Sequence, residues 1–305
     1  MKIIYENEKK IRVDKFLSSN SSLTRNKVIR FISQRKVKVN GIVVKKASIL
    51  LKYKDEIIID KPDYQAPKKD LVSDYNLKIK YEDDDLLIIS KDSGIIVHPS
   101  PNSKSVTIVD ILLNLYPKIS TVGENSRPGI VHRLDKGTSG LMVIAKNNLI
   151  LNLLKDQFKK REVIKEYLAI VNGNTKEKGI IDAPIGRHPN DRKKRALIST
   201  GKEAHTTYEK ISNENNLSLL KVGIQTGRTH QIRVHLSSVG HPVYGDKVYS
   251  KRYKNIPSRI LLHSFRLKFL HPVKKNYIDI KDDIPEEFTK EFNNIEKVLW
   301  AKYVM

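Results

Sequence analysis

The sequence predicts an α+β protein: a small basic αβ module followed by a larger α+β domain. Three observations predict it. Apolar residues switch repeatedly between the alternation of strands and the wider spacing of helices along the 305 residues. A polar, proline-bearing stretch without either period interrupts them after Lys61. Positive charge is concentrated ahead of that stretch: of a formal net +23, residues 1–61 hold sixteen Lys and Arg against six Asp and Glu. The expected organisation is a module at 1–61, a linker at 62–76 and a domain at 77–305.

In the module, RVDKFLSSN reads as a short amphipathic helix. Thr24 is expected to cap a second helix running to about Arg35, with Val28 and Ile32 on its buried stripe. Lys27, Arg30 and Gln34 share another face, so the cations point outward together. Val37 and Val39 alternate with lysine, and Asn40-Gly41 is the strongest short hairpin signal. DEIIID supplies a further strand. Codon bias would enrich lysine without clustering it, so the clustered charge points to a polyanionic partner, of which nucleic acid is the usual one.

In the larger domain, LLIIS and IIVH are expected strands around the turn KDSG, and 106–115 a helix. GLMVIAK is a buried strand. A helix over 150–160 places Ile150, Leu151, Leu154 and Phe158 on one face. EYLAIV, AHTTYEKI, LSLLKVGI and SFRLKFLHP alternate as strands do. Thr229 is expected to cap a helix whose stripe is Ile232, Leu236 and Val239, with Gly240 just past its end. Pro285 opens a last helix that buries Phe288, Phe292 and Ile295.

Several chemistries are excluded. Without cysteine there is no disulfide and no thiolate metal site. No phosphate-cradling glycine loop and no H-E-x-x-H occur, and the nine histidines lack metal-ligand spacing. No metal site is therefore expected. Ser139 lies near His132 and Asp135 in the chain, but KGTSG lacks the spacing of a nucleophile elbow. The chain has no signal-peptide core and no apolar run long enough for a membrane span, so a cytoplasmic protein with no membrane partner is expected; nothing in the sequence reads out its oligomeric state, and a monomer is the default expectation.

Asp135 is the carboxylate that most needs an explanation. It stands on a turn between an apolar segment and the strand GLMVIAK, at the edge of the core, where it requires a cation or several donors to stay ionised. On local sequence alone, a turn aspartate accepting from the backbone of Gly137 and Thr138 is the better reading of that position. Arg233, one residue past Ile232 on its helix, can pair with a carboxylate or reach solvent. For Arg233 the residues alone barely choose between the two.

The stretch GIVHRLDKGTSGL (129–141) resembles the active-site motif of the RluA-type pseudouridine synthases, RluD-like members in particular. KEYLAIV, TGRTHQIRVHL and LLHSFRLKFLHP resemble that family's later motifs, in order. RVDKFL, TRNKVIRFI and VKVNG resemble the "S-four" type of RNA-binding module, in the domain order of the members that act on ribosomal RNA. Two positions depart from the pattern: Asp92 stands where proline is usual, and Gly137 where a polar residue is commoner. They put the stiffness of two loops in question, not the chemistry.

The resemblance implies a catalytic domain with a mostly antiparallel mixed sheet flanked by helices. It implies isomerisation of uridine to pseudouridine in RNA, most of all large-subunit ribosomal RNA or its precursor particles, without a cofactor. Asp135 is implied as the carboxylate at the glycosidic carbon, Arg233 as its partner, and Tyr167 as the ring that packs on the base and assists in removing its proton. Arg133, implied to fill the gap left by the extruded base, Leu262, His132 and Arg228 complete the substrate set. Lys27, Arg30, Arg192, Lys193, Lys194 and Arg195 are expected on the RNA backbone. The alternative reading is a non-catalytic RNA-binding ribosome-assembly factor, which rests on the charge and the first module alone.

Overall fold

Asn40 and Gly41 both take positive φ, +51° and +80°, the backbone that a two-residue hairpin turn needs to match strand twist. The computed structural model describes residues 2–60, 72, 75–99 and 105–299, other than 22, 24, 125, 192–193, 251–256, 293–294 and 296, and not the side chain of Lys27. The cap expected of Thr24 and nearly all of the 62–76 linker lie outside the described residues.

Two compact units divide at Gln65 and Ala66. The first contains β1 (Lys2–Ile4), β2 (Ile11–Arg12), α1 (Val13–Ser19), α2 (Arg25–Ser33), β3 (Val37–Val39), β4 (Ile42–Val43), β5 (Leu50–Leu51) and β6 (Glu56–Ile59). The order β1-β6-β3-β4 forms an antiparallel sheet. Phe16, Leu17, Val28, Ile32, Val37 and Ile57 make one core between helices and strands. Asp14 of the RVDKFL motif is fully buried and takes Arg12 at 3.0 Å and Arg25 at 2.9 Å. That pairing ties the start of α1 to the start of α2, so Arg25 is committed to the fold while Arg30 stays exposed.

The second unit runs β7 (Lys78–Glu82), β8 (Leu86–Lys91), α3 (Ile108–Leu115), β9 (Ser139–Ala145), α4 (Asn148–Lys159), β10 (Ile164–Asn172), β11 (Lys178–Asp182), β12 (Ile185–Arg187), β13 (Arg195–Leu197), β14 (His205–Glu214), β15 (Leu217–Ile224), α5 (Gln231–Ser238), β16 (Leu262–Leu270), β17 (Tyr277–Lys281) and α6 (Glu286–Glu291). Its main sheet has the order β11-β14-β15-β10-β16-β9-β8-β7, with β17 also on β16. Only β9 and β16 run parallel among these pairs; the rest are antiparallel, which is the mixed sheet expected. Every residue of β9 is buried, as a continuous apolar strand covered on both faces must be. Leu141 and Val143 pack with Ile150, Leu151 and Leu154 of α4, and Phe288 of α6 packs with Leu168, Ile170 and Phe265.

Some expectations fail for identifiable reasons. IIVH is not a strand: Ile96 makes only an isolated bridge to Thr107. The buried ammonium of Lys91 takes the carbonyls of Asp92 and Ile95, at 2.9 and 3.0 Å, and a ladder through IIVH would need the second. Thr229 is not the cap of α5; His230 holds that position in a left-handed conformation. The preceding turn is closed by the Gln231 amide oxygen, which accepts from the Arg228 N–H at 3.0 Å and the Thr226 hydroxyl at 2.8 Å. Val239 ends the helix and is exposed. β7, β11 and β17, and the pairing of β12 with β13, are strands the sequence pattern did not single out.

One glycine fixes how the start of β9 meets β16. Gly140 has φ +109°, and a Cβ there would lie 2.3 Å from the Ser264 carbonyl oxygen. Gly140→Ala is expected to cost roughly 2 kcal/mol or more, from strain and overpacking together. A urea midpoint unchanged from the wild type would contradict this.

Candidate active site

The turn that carries Asp135 is braced from below by KDSG. Gly94 N–H donates to the Lys136 carbonyl at 2.8 Å, and the Ser93 hydroxyl to that of Gly137 at 2.7 Å. Asp92, in the place where proline is usual, accepts from the Tyr75 hydroxyl at 2.8 Å and from Lys78 at 2.9 Å. These ties restrain the turn without a proline ring.

The carboxylate of Asp135 does not make the local turn bonds; the Thr138 N–H goes to the Asp135 backbone carbonyl instead, at 3.1 Å. Arg233 Nη1 donates to Asp135 Oδ2 at 3.0 Å. The same guanidinium donates through Nε and Nη2 to Asp246, at 2.7 and 3.0 Å. Asp246 is buried, and its Oδ1 also accepts the N–H groups of Val248 and Tyr249, at 2.9 and 3.2 Å. The Tyr249 ring lies 5.2 Å from the guanidinium carbon. Burial alone would weaken the charge on Arg233, but the Asp246 and Asp135 carboxylates outweigh it and hold the guanidinium protonated.

Asp135 opens into a cleft of about 530 Å³ that Arg133, Tyr167, Arg228, Arg233 and Leu262 also line. Six of the seven residues expected at the site are thus brought together from the 135 turn, β10, β16, α5 and the turn before it. Arg133 is exposed and its Nη1 lies 3.4 Å from His98 Nε2. Arg228 donates through Nε to the Glu203 carbonyl at 2.9 Å. Burial pushes the Tyr167 hydroxyl up to about 12, and the charge of Asp135 adds to that. The hydroxyl therefore stays protonated in the resting protein, which suits packing on a base.

His132 is the seventh, and it is not among the cleft-lining residues. Its ring stacks on Phe158 with centroids 4.7 Å apart, and Nε2 accepts the Val143 N–H at 3.1 Å. It serves as a wedge between the turn and β9. Of the cations expected on the RNA backbone, Lys194 stands 4.0 Å from Asp191 and Arg195 opens β13. Arg192 and Lys193 lie outside the described residues, as does the side chain of Lys27.

Asp246, Tyr249 and His230 were missed by the sequence reading. The available signal was a carboxylate after Gly245 in the run PVYGDKVY, which needs a cation once buried. Ser139 is no open nucleophile: it is buried, with Oγ 2.9 Å from both His263 Nδ1 and Arg259 Nη1. Asp83, Asp85 and His271 form a group with metal-ligand geometry. Asp83, however, already accepts from His271 at 2.9 Å and from the Lys274 ammonium at 2.8 Å.

Burial holds the His263 and His132 rings down to about 3, against an ordinary value of 6.5. Below pH 6.5 the unfolded chain takes up protons that these rings refuse in the folded state, so this contribution to stability is complete above that pH and lost as pH falls toward 3. Denaturant midpoints at pH 7 and pH 5 are expected to show the loss, and His132→Phe to diminish it.

Comparison with known proteins places this geometry. Residues 85–238 match the model of the RNA pseudouridylate synthase family, and residues 11–57 that of the S4 domain. An uncharacterized RNA pseudouridine synthase of Aquifex aeolicus (strain VF5) is 39% identical over 298 residues, 94% of each chain. A protein named ribosomal large subunit pseudouridine synthase D, from Zymomonas mobilis, is 36% identical over 90% of this chain and 91% of its own. The human RNA pseudouridylate synthase domain containing 1 shares the fold, with a TM-score of 0.58 and 24% identity over 75% of this chain and 96% of its own. Among the described residues no helix is long and apolar enough to cross a membrane. With a family model matched across the sheet, the Asp135 turn and α5, and relatives similar along almost its whole length, the chain belongs to the RNA pseudouridylate synthase family.

Proposed function

We propose that the protein isomerises uridines in large-subunit ribosomal RNA, with Asp135 acting at the glycosidic carbon of an extruded base. The observation that carries this reading is the 3.0 Å contact of Arg233 with Asp135 inside a cleft that Tyr167 and Leu262 also line. The reaction breaks the bond from C1′ to N1 of uracil and makes one to C5, while C5 loses a proton and N1 gains one. Atoms and electrons balance within the substrate. A glycosidase needs two carboxylates because one protonates a leaving alcohol; a uracil anion kept in the pocket makes one carboxylate sufficient. Arg233 offers the Asp135 carboxylate a charge-assisted hydrogen bond that orients it, and Tyr167 packs on the base as a protonated phenol.

Extruding a base from folded RNA costs a few kcal/mol of stacking. Arg133, exposed at the cleft two residues before Asp135, carries a flat guanidinium suited to filling the vacated place. Lys27, Arg30, Arg192, Lys193, Lys194, Arg195 and Arg228 supply charge for phosphates. The choice of large-subunit ribosomal RNA is supported by the S4 match and by the name of the Zymomonas mobilis relative. The protein then works in the cytoplasm, as a monomer, during ribosome biogenesis. Mapping pseudouridines in ribosomal RNA from cells with and without the gene tests the substrate. Loss of specific large-subunit sites is expected; an unchanged map would remove ribosomal RNA as the target.

A further inference from the structure

We infer that His230 is a positioning residue for the Asp135 carboxylate, and that Tyr249 acts through it by fixing which ring nitrogen carries the proton. This rests on the reading of Asp135 proposed above.

His230 precedes α5 with φ +60° and ψ 18°, a left-handed backbone that residues other than glycine adopt at a cost. Its side chain does not cap the helix in return. The ring lines the cleft instead. Nε2 lies 3.8 Å from Asp135 Oδ2, and Nδ1 lies 2.9 Å from the Tyr249 hydroxyl.

Both ring nitrogens have neighbours that place the proton. The Tyr249 oxygen accepts the Arg195 N–H at 2.8 Å, so its own proton can go to His230 Nδ1 at 2.9 Å or to the Arg195 carbonyl at 3.3 Å. The shorter contact favours the histidine. Independently, a lone pair on Nε2 would face a carboxylate oxygen and be repelled, whereas an N–H there is attracted. Both place the proton on Nε2 with Tyr249 donating to Nδ1. Asp135, Arg233, Asp246, Arg195 and Tyr249 are the charged and titratable groups around the ring, and burial pushes it below its ordinary value against the pull of Asp135. The ring is therefore neutral near pH 7.

Arg233 and His230 approach the same oxygen, Oδ2. Among the described residues no hydrogen bond reaches Oδ1. The carboxylate is thus held from one side by a full cation and a neutral N–H dipole, which fixes its rotation and leaves Oδ1 for the sugar. A second full cation would hold the ground state too firmly.

Long-range 1H–15N NMR on the full-length protein with 15N-labelled histidine reads the tautomer directly. His230 is expected as Nε2–H in the wild type and as a mixture in Tyr249→Phe, which keeps the ring on Arg233. His230→Asn keeps a residue that tolerates the left-handed backbone. Each variant is expected to lower kcat for tritium release from uracil-labelled RNA about tenfold, in line with losing a polar contact to a charged group, with RNA Kd within about twofold of the wild type. The double variant is expected to be no slower than His230→Asn alone. A wild-type Nδ1–H tautomer, a Tyr249→Phe enzyme with wild-type kcat, or additive losses would each overturn the inference. Asp135→Asn is the control: if it turns over normally the reading of Asp135 fails, and if it alone is inactive only the role of His230 fails.

Discussion

Asp135→Asn is expected to abolish tritium release from uracil-labelled RNA while binding that RNA as tightly as the wild type. The substitution is nearly isosteric, and its amide oxygen can still accept from Arg233 Nη1. What it removes is the charge. The guanidinium between Asp135 and Asp246 would then face one carboxylate instead of two, a balanced pair that the fold already holds in bidentate geometry. Stability should therefore move little. Turnover should fall by on the order of 10⁴-fold or more, as when a group that reacts directly is lost. Single-turnover assays with enzyme in excess separate this from a binding defect. A variant that released label at the wild-type rate would end the assignment of Asp135.

Strands with one long period were legible in the sequence. β10, β14, β15 and β16 lie where alternation puts them, and the turn at Asn40-Gly41 has the backbone its residues demand. The errors arise where a distant or buried side chain captures backbone groups that a local rule assigns elsewhere. Lys91 takes the first carbonyl of IIVH, that of Ile95, and Gln231 closes the turn ahead of the helix that Thr229 was expected to cap. The short pair β12 and β13 has too few residues to show a period. β17 does alternate, with Ile278 buried between exposed neighbours, and was legible but not singled out.

The site divides along the same line. Asp135 and Arg233 each stood out as needing an explanation, but they are 98 residues apart, and no local rule pairs them. The resemblance did. Asp246 has no such history in the sequence reading: its significance exists only once α5 and the following loop are folded against the 135 turn. A lone acid that becomes buried announces that a cation must be near, without saying which one.

Asp246→Asn is accordingly expected to have the opposite profile from Asp135→Asn, costing stability as well as rate. One carboxylate oxygen faces Arg233 Nε, and the other faces Nη2 and the N–H groups of Val248 and Tyr249. An amide has only one acceptor oxygen. Whichever way it is turned, its NH₂ meets a donor in a site that is 1% exposed. Breaking one side of such a buried pair costs roughly 3–5 kcal/mol, visible as a lowered urea midpoint. Arg233 would also lose one of its three anchors, and its bidentate hold would no longer aim Nη1 at Asp135 Oδ2. Misplacement by about an ångström is worth about 10²-fold in rate, so kcat should fall by that order with KM for RNA nearly unchanged. Asp246→Glu is expected to recover part of the stability but not the rate, because the longer side chain restores the charge at a shifted position. Wild-type stability and turnover in Asp246→Asn would show that Arg233 needs no second carboxylate to hold the first in place.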